Sequence, residues 1–228
     1  MALEKLQLEH IPPGYQVYAA FFRDVTNTDF LHAQLLSRNS EFEYAFVDAS
    51  SVISRLHILS AVYSALNALI DGTLRTPNVH SEIVVSLNSS NNVLSPGNPF
   101  PHALLLIPAI SRQISDAYRR WGISPGKTKD LIVVKIVPPR PDAQGELQPQ
   151  PPTQKQTQDA IWAHLTTDVK GTPTLLTDSE LSQATDWPKV RKYYRLNGVP
   201  ALERVTDEEE RRKQMERLAV MGMALRGL

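Results

Sequence analysis

The 228-residue chain alternates between segments rich in β-branched and aromatic residues and segments with apolar residues three or four positions apart. The first pattern is typical of strands and the second of helices. Strands are predicted at Tyr15–Val25, Glu43–Asp48, His80–Leu87 and Asp130–Val137. Because helical segments lie between and after them, we predict an α/β fold. It would have a single mixed sheet of about four or five strands, flanked by helices, and a helical C-terminal part.

Capping residues indicate where the helices begin. Asn27 and Thr28 precede a first helix, and Ser50 or Ser51 precedes the longest one, which ends at Gly72. The apolar positions of this long helix are Ile53, Leu56, Leu59, Val62, Tyr63, Leu66 and Leu69.

Helical patterns return in the second half of the chain. They are predicted at Ile114–Trp121, Asp159–Thr166, Trp187–Leu196 and from about Asp207 onward. Thr206 and Glu209 form a capping box for the last helix. Its apolar positions are Met215, Leu218, Gly222 and Leu225. We expect one domain over residues 1–228, with a flexible loop over the Pro- and Gln-rich residues 138–157.

The amino-acid composition excludes several classes of protein. The chain has no cysteine, which excludes disulfide scaffolds and zinc–cysteine sites. Lys+Arg and Asp+Glu are both 24, so any nucleic-acid role must depend on a local patch. The longest apolar run, ALLLIPAI, is far shorter than the roughly 18 residues that span a bilayer. With no signal-peptide core at the N-terminus, a cytosolic or nuclear protein without membrane contact is expected.

Motifs for catalysis, metal or cofactors are missing from the sequence. Gly122–Thr128, GISPGKT, resembles a phosphate-binding loop but has one residue too few and follows a helix, so it predicts a polar turn. The six histidines show no pair at the spacing of a helical metal site, and His57 is interpreted as a core or helix-surface residue. We therefore predict no catalytic residue, no metal and no cofactor, and a protein that is not an enzyme.

Two basic clusters and the end of the chain each have two interpretations. Arg119 and Arg120 form one cluster, and KVRKYYR (residues 189–195) forms the other. Basic residues beside aromatics can hold phosphates and stack on single-stranded bases, but a solvated helix face with core tyrosines explains KVRKYYR more simply. The ending AVMGMALRGL favours either docking on another protein or packing on its own domain.

Several segments together carry a family resemblance. LRTPNVHSEIVVSLNSSNN, ISDAYRRWGIS and DLIVVKI resemble the core of the TPRKB family, the KEOPS (EKC) subunit that binds the p53-related protein kinase. FFRDVTN, DWPKVRKYYRLN and MALRG resemble its fungal branch. The matching residues are Arg75, Thr76, Glu82, Ser86, Leu87, Asn91, Asn92, Ile114, Ser115, Ala117, Arg119, Arg120, Trp121, Gly122 and Ile123.

The resemblance implies a non-catalytic subunit of the complex that makes N6-threonylcarbamoyladenosine on tRNA. Such a subunit binds and stimulates the complex's small kinase/ATPase, contacts other KEOPS subunits indirectly, and helps recruit tRNA through the 3′ CCA end. It also implies a nuclear and cytoplasmic location, and for fungal members a role in telomere maintenance at telomeric chromatin and in transcription. The alternatives are a free-standing single-stranded RNA-binding protein and an enzyme whose site the motifs do not identify.

Candidate site residues follow from the resemblance. A CCA tail is single-stranded, so its recognition needs cations for phosphates and polar or stacking groups for bases. The tRNA-binding candidates are Arg75, Asn91, Asn92, Arg119 and Arg120, although the asparagines also suit a turn or cap and the arginines a solvated face. The kinase-binding candidates are Met221, Met223, Ala224, Leu225 and Arg226.

Val93–Gln113 departs from the family pattern. Removing these 21 residues joins SLNSSNN to ISDAYRRWGIS, as in the family, and makes Asn92 an N-cap. Every valine codon begins with GT and one of the two glutamine codons is CAG, so the coding segment could begin with GT and end in AG, the limits of an intron. Our hypothesis is a retained or mis-assigned intron, which the absence of any spliced transcript lacking the segment would reject. The alternative is a genuine fungal loop, whose closure costs little entropy.

Overall fold

The computed structural model of the chain describes residues 2–88, 113–141, 147–148 and 157–225. The predicted insertion 93–113 and the predicted loop 138–157 therefore lie largely outside the described residues. The chain divides into two compact units. Met1–Asp48 and Ile123–Leu176 form the first, here called the sheet unit. Ala49–Gly122 and Thr177–Leu228 form the second, here called the helical unit.

The sheet unit contains a five-stranded sheet. Its strands are β1 (Leu3–Leu6), β2 (Gln16–Arg23), β3 (Ala45–Asp48), β4 (Leu131–Val137) and β7 (Thr172–Thr174). The order is β1–β2–β4–β3, and β7 pairs with β2 at Phe21–Arg23, beyond the stretch that β1 occupies. These pairings are all antiparallel rather than mixed. The predicted α/β class is confirmed. Inside the predicted loop, β5 (Arg140–Pro141) pairs with β6 (Leu147–Gln148).

Helices α1 (Thr28–Leu36) and α5 (Gln158–Asp168) belong to the same unit. Ile161 and Leu165 of α5 join the core cluster that includes Phe22 and Val133. The Phe22 and Trp162 rings stack with centroids 6.1 Å apart. Six of the seven residues of β4 are buried, as expected for a strand covered on both faces. The strands predicted at 15–25, 43–48 and 130–137 are confirmed.

The helical unit consists of helices packed on one another. They are α2 (Arg55–Ile70), α3 (Val79–Ser86), α4 (residues 113–121), α6 (Asp178–Ala184), α7 (Trp187–Tyr193), α8 (Pro200–Glu203) and α9 (Glu208–Ala224). Helix α2 contacts both α3 and α9. Gly72 follows α2 with a φ of 65°, a conformation that glycine adopts without strain, which confirms the predicted end of this helix.

The strand predicted at His80–Leu87 is wrong, because the segment forms helix α3. Asn78 caps it, since its side-chain oxygen accepts a hydrogen bond from the Ser81 backbone N–H. Seven of the eight α3 residues are buried, so the helix lacks a solvent-exposed face. Without an exposed face the segment shows no helical alternation of apolar and polar residues, and its β-branched residues Ile83–Val85 are equally typical of a buried strand.

Two predicted helix starts are also wrong. Helix α2 begins after Ser54, whose hydroxyl accepts from the His57 backbone N–H, rather than after Ser50 or Ser51. Helix α9 is capped by Asp207, which accepts from the Glu210 backbone N–H, rather than by Thr206. In each case a nearby residue of equal capping ability occupies the extended conformation that a cap needs.

The buried faces of these helices are rotated from the predicted ones. In α2, Leu56 is 54% exposed and Tyr63 37% exposed, although both were predicted apolar contacts. Because α2 is covered by α3 and α9, its buried face is broad and includes small residues. The buried α2 residues are His57, Ile58, Ala61, Val62, Ala65 and Leu66, and those of α9 are Met215, Ala219 and Met223.

Candidate functional site

A buried carboxylate organises the segment that contains the first tRNA-binding candidate. The Glu82 side chain is fully buried in α3 and receives hydrogen bonds from Arg75 and Thr76. The backbone N–H groups of both residues donate to Glu82 Oε2 at 3.0 Å, and Thr76 Oγ1 donates to it at 2.8 Å. The Arg75 guanidinium binds Oε1, and the Arg75 side chain as a whole is 42% exposed. Arg75 is therefore held in a fixed orientation with part of its side chain facing solvent.

Helix α4 is joined to the same region through Tyr118. The Tyr118 hydroxyl forms a hydrogen bond with Ser81 in the first turn of α3. Burial raises the pKa of Tyr118, and the nearby Glu82 carboxylate raises it further. The two candidates that follow, Arg119 and Arg120, are thus carried on a helix that packs next to the Arg75–Glu82 pair.

Arg119 and Arg120 differ in their surroundings. Arg119 is 73% exposed and forms an ion pair with Asp116 at 2.8 Å, an exposed contact that contributes little stability. The Arg120 guanidinium instead lies over two aromatic rings, 5.8 Å from the centroid of Trp121 and 5.7 Å from that of Tyr193. Trp121 is fully buried, so Arg120 rests on the core.

The second basic cluster meets the first one at Tyr193. The Lys189 ammonium lies 5.8 Å from the centroid of the Tyr193 ring and donates to Ser50 Oγ at 2.7 Å. Arg120 and Lys189, which are 69 positions apart in the sequence, therefore share one aromatic partner. The KVRKYYR motif indicated that Lys189 and Tyr193 belong to one basic–aromatic cluster. Nothing in the sequence indicated that Arg120 would contact the same tyrosine.

The remaining residues of KVRKYYR face elsewhere. Val190 and Tyr194 are buried in the helical unit, which confirms the core interpretation for one of the two tyrosines. Arg191 lines a cavity of about 270 Å³. The other residues lining this cavity are Leu196, Asn197, Gly198, Leu202, Glu203, Arg211 and Met215.

Tyr194 and His57 form a buried chain of hydrogen bonds. The Ile53 backbone N–H donates to His57 Nδ1 at 3.1 Å, so Nε2 carries the ring proton and donates to the Tyr194 hydroxyl at 2.6 Å. Tyr194 in turn donates to the Leu87 carbonyl at 2.7 Å. Burial lowers the pKa of His57 to about 3, so the ring is neutral near pH 7. His57 is therefore a structural core residue. Through Tyr194 it helps to hold Leu87, the residue directly after α3.

The end of α9 presents some of the kinase-binding candidates to solvent. Met221 is 58% exposed and Leu225 is 53% exposed, and Ala224 is exposed as well. Met223 is only 8% exposed and contributes to the core. Arg226, like the tRNA-binding candidates Asn91 and Asn92, lies outside the described residues.

The described residues also bear on metal binding and on membrane insertion. No group of three or more histidine, aspartate or glutamate residues there is placed to hold a metal ion. In the same part of the chain, each helix is too short or too polar to cross a membrane.

Comparison with known proteins identifies the family. Residues 22–95 and 104–227 match the family described as kinase binding protein CGI-121, and the intervening residues 96–103 lie inside the predicted insertion. A Neurospora crassa protein named EKC/KEOPS complex subunit cgi121 is 51% identical over 230 aligned residues, covering 100% of both chains. Proteins of the same name from Gibberella zeae and Aspergillus fumigatus are 50% and 37% identical, over 100% and 98% of their lengths and 100% of this chain. The chain thus belongs to the CGI-121 family of kinase-binding proteins, the TPRKB family that its sequence motifs indicate.

Proposed function

We propose that the protein is a non-catalytic subunit of a KEOPS/EKC complex that makes N6-threonylcarbamoyladenosine on tRNA. In this role it binds and stimulates the small kinase/ATPase of the complex, of the p53-related protein kinase type, and helps recruit tRNA. The family description as a kinase-binding protein and the names of relatives that align along the whole chain support the proposal.

The observation that carries the kinase-binding part is the exposed apolar end of α9. Met221 and Leu225 lie four positions apart, on one side of the helix, and each leaves more than half of its surface in water. Burying a fully exposed side chain of this size contributes about 1.5–3 kcal/mol, so covering the exposed part of each residue contributes roughly half as much. A partner that covers both residues would therefore gain substantial affinity from this surface.

Point substitutions test the kinase-binding surface more cleanly than a deletion. Removing everything after Val220 would also remove Met223, which is buried, and would damage the fold. We expect Met221→Asp with Leu225→Asp to weaken binding of the partner kinase at least tenfold in calorimetry and to abolish stimulation of its ATPase activity. Arg217→Asp, at an exposed position one turn earlier, is the matched control. Equal affinities for the double variant and the control would refute this surface.

The tRNA-binding part rests on the resemblance and on the solvent-facing cations of the helical unit. Arg75, Arg119 and Arg120 each offer a guanidinium to phosphates, and Asn91 and Asn92 are proposed to read the CCA bases. The chain, alone or bound to its kinase, should bind tRNA more tightly than tRNA from which the 3′ CCA has been removed. Equal affinity for the two RNAs would contradict recognition of the CCA end.

The cellular setting is proposed from the resemblance alone. We propose that the protein works in the nucleus and the cytoplasm and contributes to telomere maintenance and transcription. Fluorescent tagging of the chromosomal gene and measurement of telomere length after its deletion test the two statements. Exclusion of the tagged protein from the nucleus, or unchanged telomeres, would remove the corresponding statement.

A further inference from the structure

Arg120, Lys189 and Tyr193 form a basic–aromatic cluster within the helical unit. We propose that this cluster binds phosphate groups of the tRNA backbone and does not stack on bases. The inference rests on the proposed tRNA recruitment and adds to it a contact that is independent of the CCA sequence.

The aromatic rings of the cluster are already engaged. Two cations lie within 6 Å of the centroid of Tyr193, namely the Arg120 guanidinium at 5.7 Å and the Lys189 ammonium at 5.8 Å. Trp121, the other ring beneath Arg120, is fully buried. A base stacks only on an accessible ring face, so it would have to displace a cation from Tyr193. The cluster is therefore poorly suited to base stacking.

The cations of the cluster are suited to phosphate. Arg75 and Arg119 already pair with the carboxylates of Glu82 and Asp116. Within the described part of the chain, by contrast, no carboxylate is paired with Arg120, whose planar guanidinium matches two phosphate oxygens.

Lys189 adds a second positive charge. Its ammonium has three N–H donors, one of which goes to the neutral hydroxyl of Ser50. Asp186 is an acidic neighbour, and its carboxylate accepts the Lys189 backbone N–H at 3.0 Å. Like the Arg120 guanidinium, the ammonium attracts the phosphate backbone.

The rings also hold the two cations in place. Arginine and lysine side chains lose rotational freedom when they bind a ligand, and this loss weakens binding. Contacts with Tyr193 and Trp121 restrict Arg120 before any RNA arrives, and the contact with Tyr193 restricts Lys189. Phosphate contacts position a nucleic acid without reading its sequence. We therefore expect the cluster to increase affinity for tRNA equally with and without its CCA end.

The salt dependence of tRNA binding tests this proposal. The slope of log K against log salt is negative, and each phosphate contact adds about 0.7–0.9 to its magnitude. We expect Arg120→Gln with Lys189→Gln to reduce this magnitude by roughly 1.5 and to weaken binding about tenfold or more near 0.1 M salt, for tRNA with and without its CCA end. The measurement uses fluorescence anisotropy on the full chain, alone and bound to its kinase. Lys213→Gln with Arg217→Gln, two exposed α9 positions, is the control that removes the same net charge.

The possible results separate this proposal from the proposed function. Suppose that the wild-type chain binds tRNA and that the double variant has the same slope and affinity as the control. This result would overturn the phosphate contact but would leave tRNA recruitment standing. A wild-type chain that fails to bind tRNA, alone and with its kinase, would overturn both. The single substitutions Arg120→Gln and Lys189→Gln are measured as well, and each should reduce the magnitude of the slope by about 0.7–0.9. A folding defect in one variant therefore still leaves a decisive result from the other.

Discussion

Replacing Glu82 by alanine should destabilise the helical unit, because one carboxylate satisfies several donors at once. The substitution removes the acceptor of two backbone N–H groups, of the Thr76 hydroxyl and of the Arg75 guanidinium. Thr76 is 7% exposed, so water has little access to its N–H group after the substitution. The Thr76 backbone N–H would remain unsatisfied inside the protein, whereas the Thr76 hydroxyl would keep the Asn78 carbonyl as its acceptor at 2.9 Å.

The size of the effect follows from these contacts. An unsatisfied buried donor costs about 1–3 kcal/mol, and removing one partner of a buried ion pair costs about 3–5 kcal/mol. The Arg75 side chain is 42% exposed and would regain water, so the lower part of this range applies. We expect Glu82→Ala to lower the free energy of unfolding by about 3 kcal/mol. Glu82→Gln keeps the shape and one acceptor oxygen, and should cost about half as much.

Urea unfolding followed by circular dichroism and by tryptophan fluorescence measures the change. The two signals must coincide before a single free energy is assigned, because the chain contains two compact units. Glu209→Gln is the control, since it neutralises an exposed glutamate that pairs with Lys213 on the same helix, and it should leave stability unchanged. A Glu82→Ala variant within about 1 kcal/mol of the wild type would refute the reasoning.

Two further predictions concern stability. The pKa of His57 is lowered to about 3, against about 6.5 in the unfolded chain, so the unfolded state binds more protons between these values. Stability should be complete above pH 6.5 and fall by up to about 1.4 kcal/mol per pH unit toward pH 3. Urea titrations should show His57→Gln flattening this part of the profile, and an unchanged profile would contradict the assignment. For Gly171→Ala, the new Cβ would lie 2.8 Å from Val25 Cγ2 and 2.9 Å from the Arg23 carbonyl oxygen. We expect a loss of about 1–3 kcal/mol and a lower Tm, and an unchanged Tm would show that the sheet unit adjusts freely.

Several elements were predictable because their local pattern and their packing agree. The strands at 15–25, 43–48 and 130–137 are rich in β-branched or aromatic residues and are buried in the sheet. Helix α3 was not predictable in this way. Its run of β-branched residues favours a strand, and the Asn78 cap together with burial on all sides overrides that preference.

The candidate site residues were likewise only partly predictable from the sequence. The order of the motifs identified the family and the candidate cations. The end of the chain also gave Met221 and Leu225, which are exposed, as kinase-binding candidates. It did not distinguish Met223, which lies in the core, from these exposed neighbours. A helix of this length turns its residues through all directions, and only the position of the packing partner decides which of them are covered.

The sequence alone determined the fold class, the family and the absence of the common catalytic motifs, because these depend on residue types and on spacings along the chain. Only the tertiary structure decided what each candidate cation contacts. Arg75 is held by the buried Glu82, Arg119 pairs with Asp116, and Arg120 shares Tyr193 with Lys189. The contacts of Arg120 with Tyr193 join residues far apart in the chain, and they arise from how the helices pack rather than from any local preference.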